Sequence, residues 1–526
     1  MSEPLSLLGG HLETYRNETV GTKAEPRIEP TKRFKPIDRN LVLLRPLAVE
    51  KLVEEDHSVR AIWAMLNRLD LRGLERNVRA VEGRAGQSGF DPRMLMGLWI
   101  YAISQGISSA RELSRLCEYE PGCQWMTGLQ GVNYHTLADF RVEHKETLDE
   151  IFVQVLGVLS AEGLVELTRI MQDGTKVKAQ AGSDSFRREE RIRQHLELAR
   201  EQVKAMDNPE SEESSQRVKR ARQRAIREKK ERLELALREL QELQSARPAT
   251  EADQVRASET DPQARVMKQS DGGFAPSYNV QISTEASHGI IVAVDVVQAG
   301  TDYDQLLEGI ERVETNTGQA PVQAVVDGGY IKNTNIEAMA ERGVDLIGPV
   351  AENNPEASLK RRGIGAEFYP DKFQYDSATD TFTCPMGKTL TFQSRQLREG
   401  RTEYSYSALE TECSACPFQP QCCARRSPRR VVRKEYSEAV KAFREKMQTD
   451  QAKQIYSTRA QVAEFPNAWI KEKLGLRRFR LRGLKKARIE ALWACLTYNI
   501  QQWKRLCWMG THELAALFPA GQLLNR

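Results

Sequence analysis

Three acidic residues in unlike local settings are the side chains of this sequence best suited to chemistry. Asp173 lies in IMQDGT and Asp327 in AVVDGGY, so an apolar run typical of a β-strand precedes each Asp and a Gly follows it. Each carboxylate is predicted to lie at the end of its strand, where a sheet can direct it towards a shared ion. Glu464 lies instead in a stretch with helical spacing. Three such carboxylates favour a two-metal site for phosphoryl transfer.

Glu464 belongs to the pattern Tyr456-x2-Arg459-x4-Glu464-x6-Lys471. Lys471 follows Glu464 by seven residues, or almost two helical turns, so the two side chains share one helix face. Pro466 is tolerated only in the first turn of a helix, and we therefore expect Glu464 to lie at a helix start.

Each of these residues also has a purely structural interpretation. An Asp between an apolar run and a Gly is an ordinary signal for a strand that enters a turn. Surface helices are rich in Glu and Lys. The combination of all three acidic residues in one chain is what favours chemistry.

The order of these motifs resembles that of the DDE transposases of bacterial insertion sequences, including their Y-R-E-K type signature. The resemblance covers roughly residues 35–505 and extends to DPQARVMK and GGFAPSYNVQ before Asp327 and to GLRRFRLRGLKKARIE after Glu464. Some members of the wider superfamily have three residues between the Arg and the Glu of the signature, whereas this chain has four.

The resemblance implies a function and a mechanism. Asp173, Asp327 and Glu464 would be the catalytic residues and also the ligands of two Mg2+ ions, with Mn2+ as an alternative and no other cofactor needed. Water would first cut the DNA at the end of the mobile element, and the freed 3′-hydroxyl would then attack target DNA. The partners implied are double-stranded DNA, as terminal inverted repeats and as target, and a second copy of the chain in an active homodimer.

Basic residues cluster after Glu464, although the net charge of the whole chain is only +4. Nine cations and a single acidic residue lie between residues 471 and 488, a density that favours contact with phosphates. The cations are Lys471, Lys473, Arg477, Arg478, Arg480, Arg482, Lys485, Lys486 and Arg488. By their positions in the family, Arg459 and Lys471 would lie nearest the DNA, and Tyr456 would stack on or hydrogen-bond its end, with core packing as the alternative for Tyr456.

The predicted fold class is α/β. It comprises an RNase H-like mixed sheet flanked by helices, an all-helical N-terminal domain, an inserted helical hairpin and a Cys-containing, β-rich insertion. The alternation of strand and helix signals between residues 165 and 351 predicts the order β-β-β-α-β-α-β.

A chain of 526 residues should contain two to four folded units. The predicted segments are a flexible lead-in (1–40), a helical DNA-binding domain (41–164), the first part of the core (165–351, with the hairpin at 185–245), the Cys-rich insertion (352–430), the C-terminal core helices (431–510) and a tail (511–526). Within the helical domain, the N-cap Ser109 and a helix starting near Thr136 suit a helix-turn-helix, and an ordinary helical bundle fits the spacing equally well.

The hairpin is predicted from two amphipathic stretches. Apolar residues from Ile192 to Met206 follow one helix face, and Asn208-Pro209 breaks the helix before a second arm. That arm is densely basic between residues 217 and 232, which suits either phosphate contact or a solvated helix face.

Four cysteines form the pattern Cys384-x28-Cys413-x2-Cys416-x5-Cys422. A Cys-x2-Cys pair is half of a common zinc motif, but the other half is irregular here. A Zn2+ site and a small β-rich insertion with reduced thiols are both compatible with this pattern.

No signal-peptide pattern and no apolar run of about 18 residues occurs in the sequence, so we expect a soluble cytoplasmic protein, associated with the bacterial nucleoid and without a membrane partner. Two other functions compete with transposition: a structure-selective nuclease of the same fold, and a non-enzymatic DNA-binding protein derived from a transposase. Asp295 also lies in an apolar strand but lacks the following Gly, which makes it the natural comparison for Asp327.

Overall fold

The computed structural model describes Arg39 and residues 46–76, 89–207, 216–350, 355–398, 400–423 and 428–508. The predicted lead-in, apart from Arg39, and the predicted tail lie outside these residues. The chain divides into two compact units, residues 1–47 and residues 48–526, and every element named below belongs to the second.

The elements of the described residues up to residue 161 are helices. In the described residues they are α1 (Ser58–Leu66), α2 (Arg72–Glu75), α3 (Pro92–Ser104), α4 (Ala110–Tyr119), α5 (Pro121–Thr127), α6 (Tyr134–Glu143) and α7 (Lys145–Ala161). Ser109 caps α4 as predicted, because its side chain accepts a hydrogen bond from the backbone N–H of Glu112. Asn133 caps α6, which therefore begins two residues before Thr136.

A helical hairpin follows the first strand, β1 (Arg169–Lys178). Its elements are β2 (Phe186–Arg187), α8 (Glu189–Asp207), α9 (Gln216–Ser245), α10 (Ala249–Ala252) and β3 (Ala257–Ser258). β2 pairs with β3 at the base, and α8 packs against α9 through apolar side chains such as Ile192 and Leu240. The predicted pair of helices is thus present, whereas the predicted break at Asn208-Pro209 lies outside the described residues.

The main sheet is mixed. Its later elements are β4 (Arg265–Lys268), β5 (Phe274–Glu285), β6 (Ile291–Val297), α11 (Leu306–Thr317), β7 (Gln323–Val326), α12 (Asn333–Glu341) and β8 (Asp345–Ile347). β1 is central, antiparallel to β5 on one edge and parallel to β7 on the other, and β8 extends the sheet beyond β7. β4 and β6 share the far edge of β5. The predicted α/β class is confirmed.

The Cys-containing segment forms a second sheet. After α13 (Pro355–Arg361) come β9 (Gln374–Asp376), β10 (Thr381–Thr383), β11 (Thr389–Arg398), β12 (Arg401–Ser407), α14 (Glu410–Ser414), α15 (Gln419–Cys422) and β13 (Arg430–Tyr436). The five strands are antiparallel in the order β13-β12-β11-β10-β9. The last strand continues past residue 430, where the sequence analysis ends this segment.

The chain then returns to the main sheet through α16 (Glu438–Lys446), α17 (Asp450–Ser457), α18 (Phe465–Glu472) and α19 (Leu484–Trp503). Fifteen of the twenty residues of α19 are buried, because this helix packs against α3, α7 and β6 at once. One continuous apolar cluster joins the N-terminal helices, the main sheet and α19, so these parts stabilise each other. Among the described residues, no helix is long and apolar enough to cross a membrane.

Candidate active site

The register of the main sheet brings the two aspartates together. The parallel pairing of β1 with β7 ends at Gln172 opposite Val326, so Asp173 and Asp327 are the next residues on neighbouring strands. Asp327 directly follows β7, as predicted. Asp173 does not end its strand, and that prediction was wrong. β1 continues to Lys178 because its other edge remains paired with β5.

Glu464 enters from a helix start, as predicted. It is the residue directly before α18, and Pro466 lies in the first turn of that helix. The preceding turn, Ala460–Glu464, is π-helical, a wide turn with hydrogen bonds between residues five apart that is frequent at functional sites.

One guanidinium contacts all three predicted carboxylates. Arg459 Nη2 lies 2.9 Å from Asp173 Oδ1 and 3.9 Å from Asp327 Oδ2, and Arg459 Nη1 lies 3.9 Å from Glu464 Oε1. The three acidic residues therefore converge on a single point although they are separated by almost 300 positions in sequence. Arg459 supplies the positive charge that balances them there.

Asn467 is a further residue of this site that the sequence analysis did not identify. Its Nδ2 donates a hydrogen bond of 2.8 Å to Asp173 Oδ2. The side chain is only 7% exposed, and its Oδ1 is buried without a hydrogen-bond partner. Asn467 follows Glu464 by three residues and so lies on the same helix face, a spacing that could have revealed it.

A fourth carboxylate, Asp302, was also missed. It lies in the loop between β6 and α11, and its Oδ1 accepts hydrogen bonds from Asn279 (2.6 Å) and Gln281 (2.7 Å) of β5. Lys176 Nζ of β1 is 3.5 Å from the same oxygen. Two amides and an ammonium group thus hold the side chain of Asp302, which in turn contributes to raising the pKa of Asp173.

Gly174 creates the space for Asp302. A Cβ atom at residue 174 would lie 2.3 Å from Asp302 Oδ1 and 2.6 Å from Gln281 Nε2. The Gly after Asp173 is therefore required by this close approach, and not by a turn as the sequence analysis inferred. Tyr330 closes the far side of the network, since its hydroxyl donates a 2.5 Å hydrogen bond to Gln281 Oε1.

Burial and neighbouring carboxylates perturb the ionisable groups of the site. Burial raises the pKa of Asp173 to about 6, with further upward contributions from Asp327 and Asp302, while Arg459 opposes the shift. Burial also lowers the pKa of Lys471, against the attraction of Asp173. Burial is thus the main cause of both shifts, and the neighbouring charges modify them.

Replacing Asp173 by Asn should stabilise the metal-free protein above pH 6. The folded-state pKa of Asp173 lies above its ordinary value of 3.8, so the folded protein binds this proton more tightly than the unfolded chain. The contribution of this carboxyl to stability therefore falls as the pH rises from about 4 to about 6. The variant should gain about 1–3 kcal/mol near pH 8 and nothing below about pH 4, which urea unfolding in EDTA measures. A wild-type protein as stable as the variant near pH 8 would contradict this account.

The predicted DNA-binding cations are exposed beside the site. Arg477, Arg478, Arg480, Arg482, Lys485 and Lys486 all project from the surface. Their segment is fixed to the end of β1, since Lys178 donates to the carbonyl of Arg477 (3.2 Å) and Phe479 donates to the carbonyl of Lys178 (2.8 Å). Phe479 is buried between its basic neighbours and contacts the ring of Tyr278.

A buried ion pair fixes the other side of this basic segment. Glu490 accepts hydrogen bonds from the backbone N–H groups of Arg480 (2.8 Å) and Leu481 (3.1 Å). Its carboxylate also lies 2.7 Å from Arg141 of α6. The basic segment is thereby connected to the N-terminal helices.

The remaining predicted residues have varied surroundings. Arg482 lies close enough to Arg232 of α9 to contribute to lowering its pKa, so the two basic stretches of the sequence meet. Arg488 is instead engaged with Asp295, at 2.9 Å, and Asp295 also pairs with Arg312 at 2.8 Å. Tyr456 packs against the main apolar cluster, the alternative considered for it.

The cysteines predicted to bind zinc lie around one small cavity, together with Cys423 and Arg429. The backbone N–H of Lys388 donates to Cys384 Sγ (3.2 Å) and that of Arg429 donates to Cys413 Sγ (3.4 Å). Burial raises the pKa of Cys422, whereas Arg429 lowers it. All nine cysteines are free thiols. Within the described ranges, no group of three or more His, Cys, Asp or Glu side chains is arranged to hold a metal ion, either here or around Asp173.

Comparison with known proteins identifies transposase sequences at two places in the chain. A model described as a transposase DDE domain matches residues 383–504, which include Glu464, and a model described as a transposase domain (DUF772) matches residues 47–143. No curated protein matches the chain. A solved structure of a piggyBac transposase synaptic complex with hairpin DNA aligns over 89% of this chain and 75% of its own, at 8% identity, with a TM-score of 0.29 that is too low to carry an argument. These two matches support a DDE-type transposase of insertion sequences.

Proposed function

We propose that this chain binds the ends of an insertion sequence and catalyses metal-dependent DNA strand cleavage and strand transfer. The observation that carries the proposal is the convergence of Asp173, Asp327 and Glu464 on Arg459. The active complex would be a homodimer on double-stranded DNA, with the helical N-terminal segment (41–164) recognising the terminal repeats.

The catalytic core would be RNase H-like. The support is the strand order, in which the antiparallel strands β6, β5 and β1 are followed by β7 and β8, both parallel to β1. In such a sheet the middle strand and its parallel neighbour carry the first two carboxylates side by side. The helical hairpin and the Cys-containing sheet would be insertions into this core.

Asp173, Asp327 and Glu464 would hold two Mg2+ ions, or Mn2+ ions. Their hard oxygens suit these cations, and Asp327 and Asp302 add negative charge beside the buried Asp173. When bound, the two ions activate the attacking oxygen and stabilise the leaving oxygen of a phosphodiester.

The other side chains would orient the carboxylates and the DNA. Asn467 fixes Asp173 Oδ2 by its hydrogen bond, and the Tyr330, Gln281 and Asp302 network makes the floor of the site rigid. Arg459 can donate from both Nη atoms to a scissile phosphate, because a guanidinium matches the geometry of phosphate oxygens.

A strand-cleavage assay on labelled candidate ends tests the function directly. Mg2+ should produce a nick at the end of the mobile element, and added target DNA should yield a joined product. Cleavage without joining would favour the structure-selective nuclease instead. End binding without cleavage would favour a DNA-binding protein derived from a transposase.

The two basic stretches should give DNA affinity that depends on salt but not on sequence. Replacing Arg477, Arg478 and Arg480 together by Gln should reduce the slope of log K against log salt by about 0.9 for each lost duplex contact. Filter binding on a duplex at several salt concentrations measures this slope. The exposed acidic residue Glu472, replaced by Gln, is the control that should not reduce the slope. A slope equal to that of the wild type in the triple variant would mean that these cations are only solvated.

Cys384, Cys413, Cys416 and Cys422 would bind one Zn2+. The N–H groups directed at Cys384 Sγ and Cys413 Sγ support this, because hydrogen bonds from the surroundings orient the ligands of a metal site. Protein purified without added zinc should contain about one equivalent, and a chelator should lower its melting temperature. Less than about a tenth of an equivalent, with melting unaffected by chelator, would establish reduced thiols instead.

A further inference from the structure

A cleft of about 600 Å3 opens next to the candidate active site. It lies where the start of α12 approaches α16 and the beginning of β12, so both sheets of the chain contribute to it. No step of the proposed cleavage uses this cleft. Its volume falls within the range of about 300–1,000 Å3 that is usual for pockets binding one small organic unit.

The cleft shares two backbone segments with the catalytic carboxylates. Tyr303 follows Asp302 directly, and the segment after Asp327 contributes Ile331 and Lys332 to the cleft wall. Asn335 holds the two segments together, since its Nδ2 donates to the carbonyl oxygen of Tyr303 (2.8 Å) and to that of Tyr330 (2.8 Å). A ligand in the cleft would therefore lie beside the site where DNA is cut.

The lining combines a basic rim with apolar walls. Lys332, Arg401 and Arg444 line the cleft, where Lys332 is paired with Asp304 and Arg401 lies 2.8 Å from Glu403. Arg444 is held in place by the ring of Tyr436, at 4.1 Å from its centroid. A fixed cation in the lining of a cleft favours a ligand that carries phosphate.

Apolar and aromatic groups form the rest of the lining. Ile331, Ile336, Phe443 and Tyr303 line the cleft, and 49% of the surface of Tyr303 is exposed. Holding an exposed tyrosine side chain in one orientation costs little entropy, and its ring offers a flat face on which a base can stack. Apolar walls, a stacking ring and cations together match the base and the phosphate of a nucleotide.

We propose that this cleft binds an unpaired nucleotide unit of the DNA strand next to the cut, with its base on Tyr303 and its phosphate at Arg444. The proposal rests on the proposed function, which supplies DNA as the substrate. The cleft has room for one nucleotide-sized unit. A DNA duplex, whose major groove alone is about 12 Å wide, is too large to enter it. The cleft is thus a binding site for single-stranded DNA, separate from the basic segment that would contact duplex phosphates.

Binding to the full-length chain tests this without any cleavage. A fluorescein-labelled oligothymidylate of about ten nucleotides, in EDTA, is titrated with protein and followed by fluorescence anisotropy. Tyr303→Ala should weaken its binding about tenfold, the effect typical of a lost base stack, whereas Tyr303→Phe should keep the affinity because it keeps the ring. Neither change should alter the affinity for a duplex of the same length.

The cationic rim has a matched control on its own helix. Arg444→Ala should weaken oligothymidylate binding several-fold, and Lys441→Ala should not, because Lys441 of α16 pairs with Glu438 and does not line the cleft. Affinities within about twofold of wild type for both Tyr303→Ala and Arg444→Ala would overturn the proposal. Equal losses for oligothymidylate and duplex would also overturn it.

Two further comparisons separate the possible outcomes. Displacement of the oligothymidylate by equal concentrations of thymidine monophosphate would assign the cleft to a free nucleotide and reject a DNA strand. If the chain fails to cut labelled ends but Tyr303→Ala still weakens oligothymidylate binding, the proposed function fails and the cleft assignment stands. If it cuts while the cleft variants bind normally, only the cleft assignment fails.

Discussion

Replacing Asp173, Asp327 or Glu464 by Ala, one at a time, is expected to reduce DNA strand cleavage to background. Each change removes one of three carboxylates that converge on Arg459, and a two-metal site does not tolerate the loss of a ligand. Cleavage of labelled ends with Mg2+, measured in single turnovers, should fall at least about a thousandfold. Binding of the same ends should be largely retained, because the basic segment is separate from the carboxylates.

Asp295→Ala is the control for these three variants. Asp295 lies on β6 and pairs with Arg312 and Arg488, so its loss should lower stability moderately and leave cleavage measurable. If Asp295→Ala abolished cleavage in a folded protein while Asp327→Ala spared it, the second ligand would be misassigned. If all three variants in the triad stayed active, the transposase mechanism itself would be rejected.

Glu490→Ala is expected to destabilise the fold by about 3–5 kcal/mol, since it leaves the buried guanidinium of Arg141 without its partner. It also removes the acceptor of two backbone N–H groups in the basic segment, at Arg480 and Leu481. Duplex affinity should therefore fall together with the urea midpoint. Glu472→Ala removes an exposed acidic residue from the same segment and should change stability by less than about 1 kcal/mol.

A double variant separates the two effects of Glu490. Arg141→Met combined with Glu490→Met should recover most of the lost stability, because a buried ion pair can be replaced by apolar side chains of similar volume. The N–H groups of Arg480 and Leu481 would still have no acceptor, so duplex affinity should remain low. Full recovery of DNA binding in the double variant would show that Glu490 does not position the basic segment.

Local patterns in the sequence predicted the parts of the site that depend on neighbouring residues. Asp327 follows its strand because QAVV is a short apolar run that ends in a Gly pair. Glu464 begins its helix because Pro466 cannot lie further inside one. The order of strands and helices from β5 to β8 likewise follows from local alternation and turn signals.

Pairings between distant strands determined the parts of the site that local patterns did not predict. Local patterns predicted that the first strand ends at Asp173. They do not show the continued pairing of β1 with β5, which connects residues about 100 positions apart. Asp302 was missed for the same reason. Its donors Asn279 and Gln281 reach it only in the register that β5 adopts, and a shift of one residue would point both away.

The π-helical turn at Ala460–Glu464 bears on the interval between Arg459 and Glu464. Residues four apart share a face in an α-helix, whereas in a π-helical turn residues five apart do so. Arg459 and Glu464 are five apart, and their side chains still approach to 3.9 Å. The wide turn thus accommodates one residue more than an α-helical turn between the two side chains, and the helices on either side can keep their positions. Gain or loss of a single codon at this turn is compatible with an unchanged active site. A search that requires a fixed interval between the arginine and the glutamate would overlook relatives of this kind.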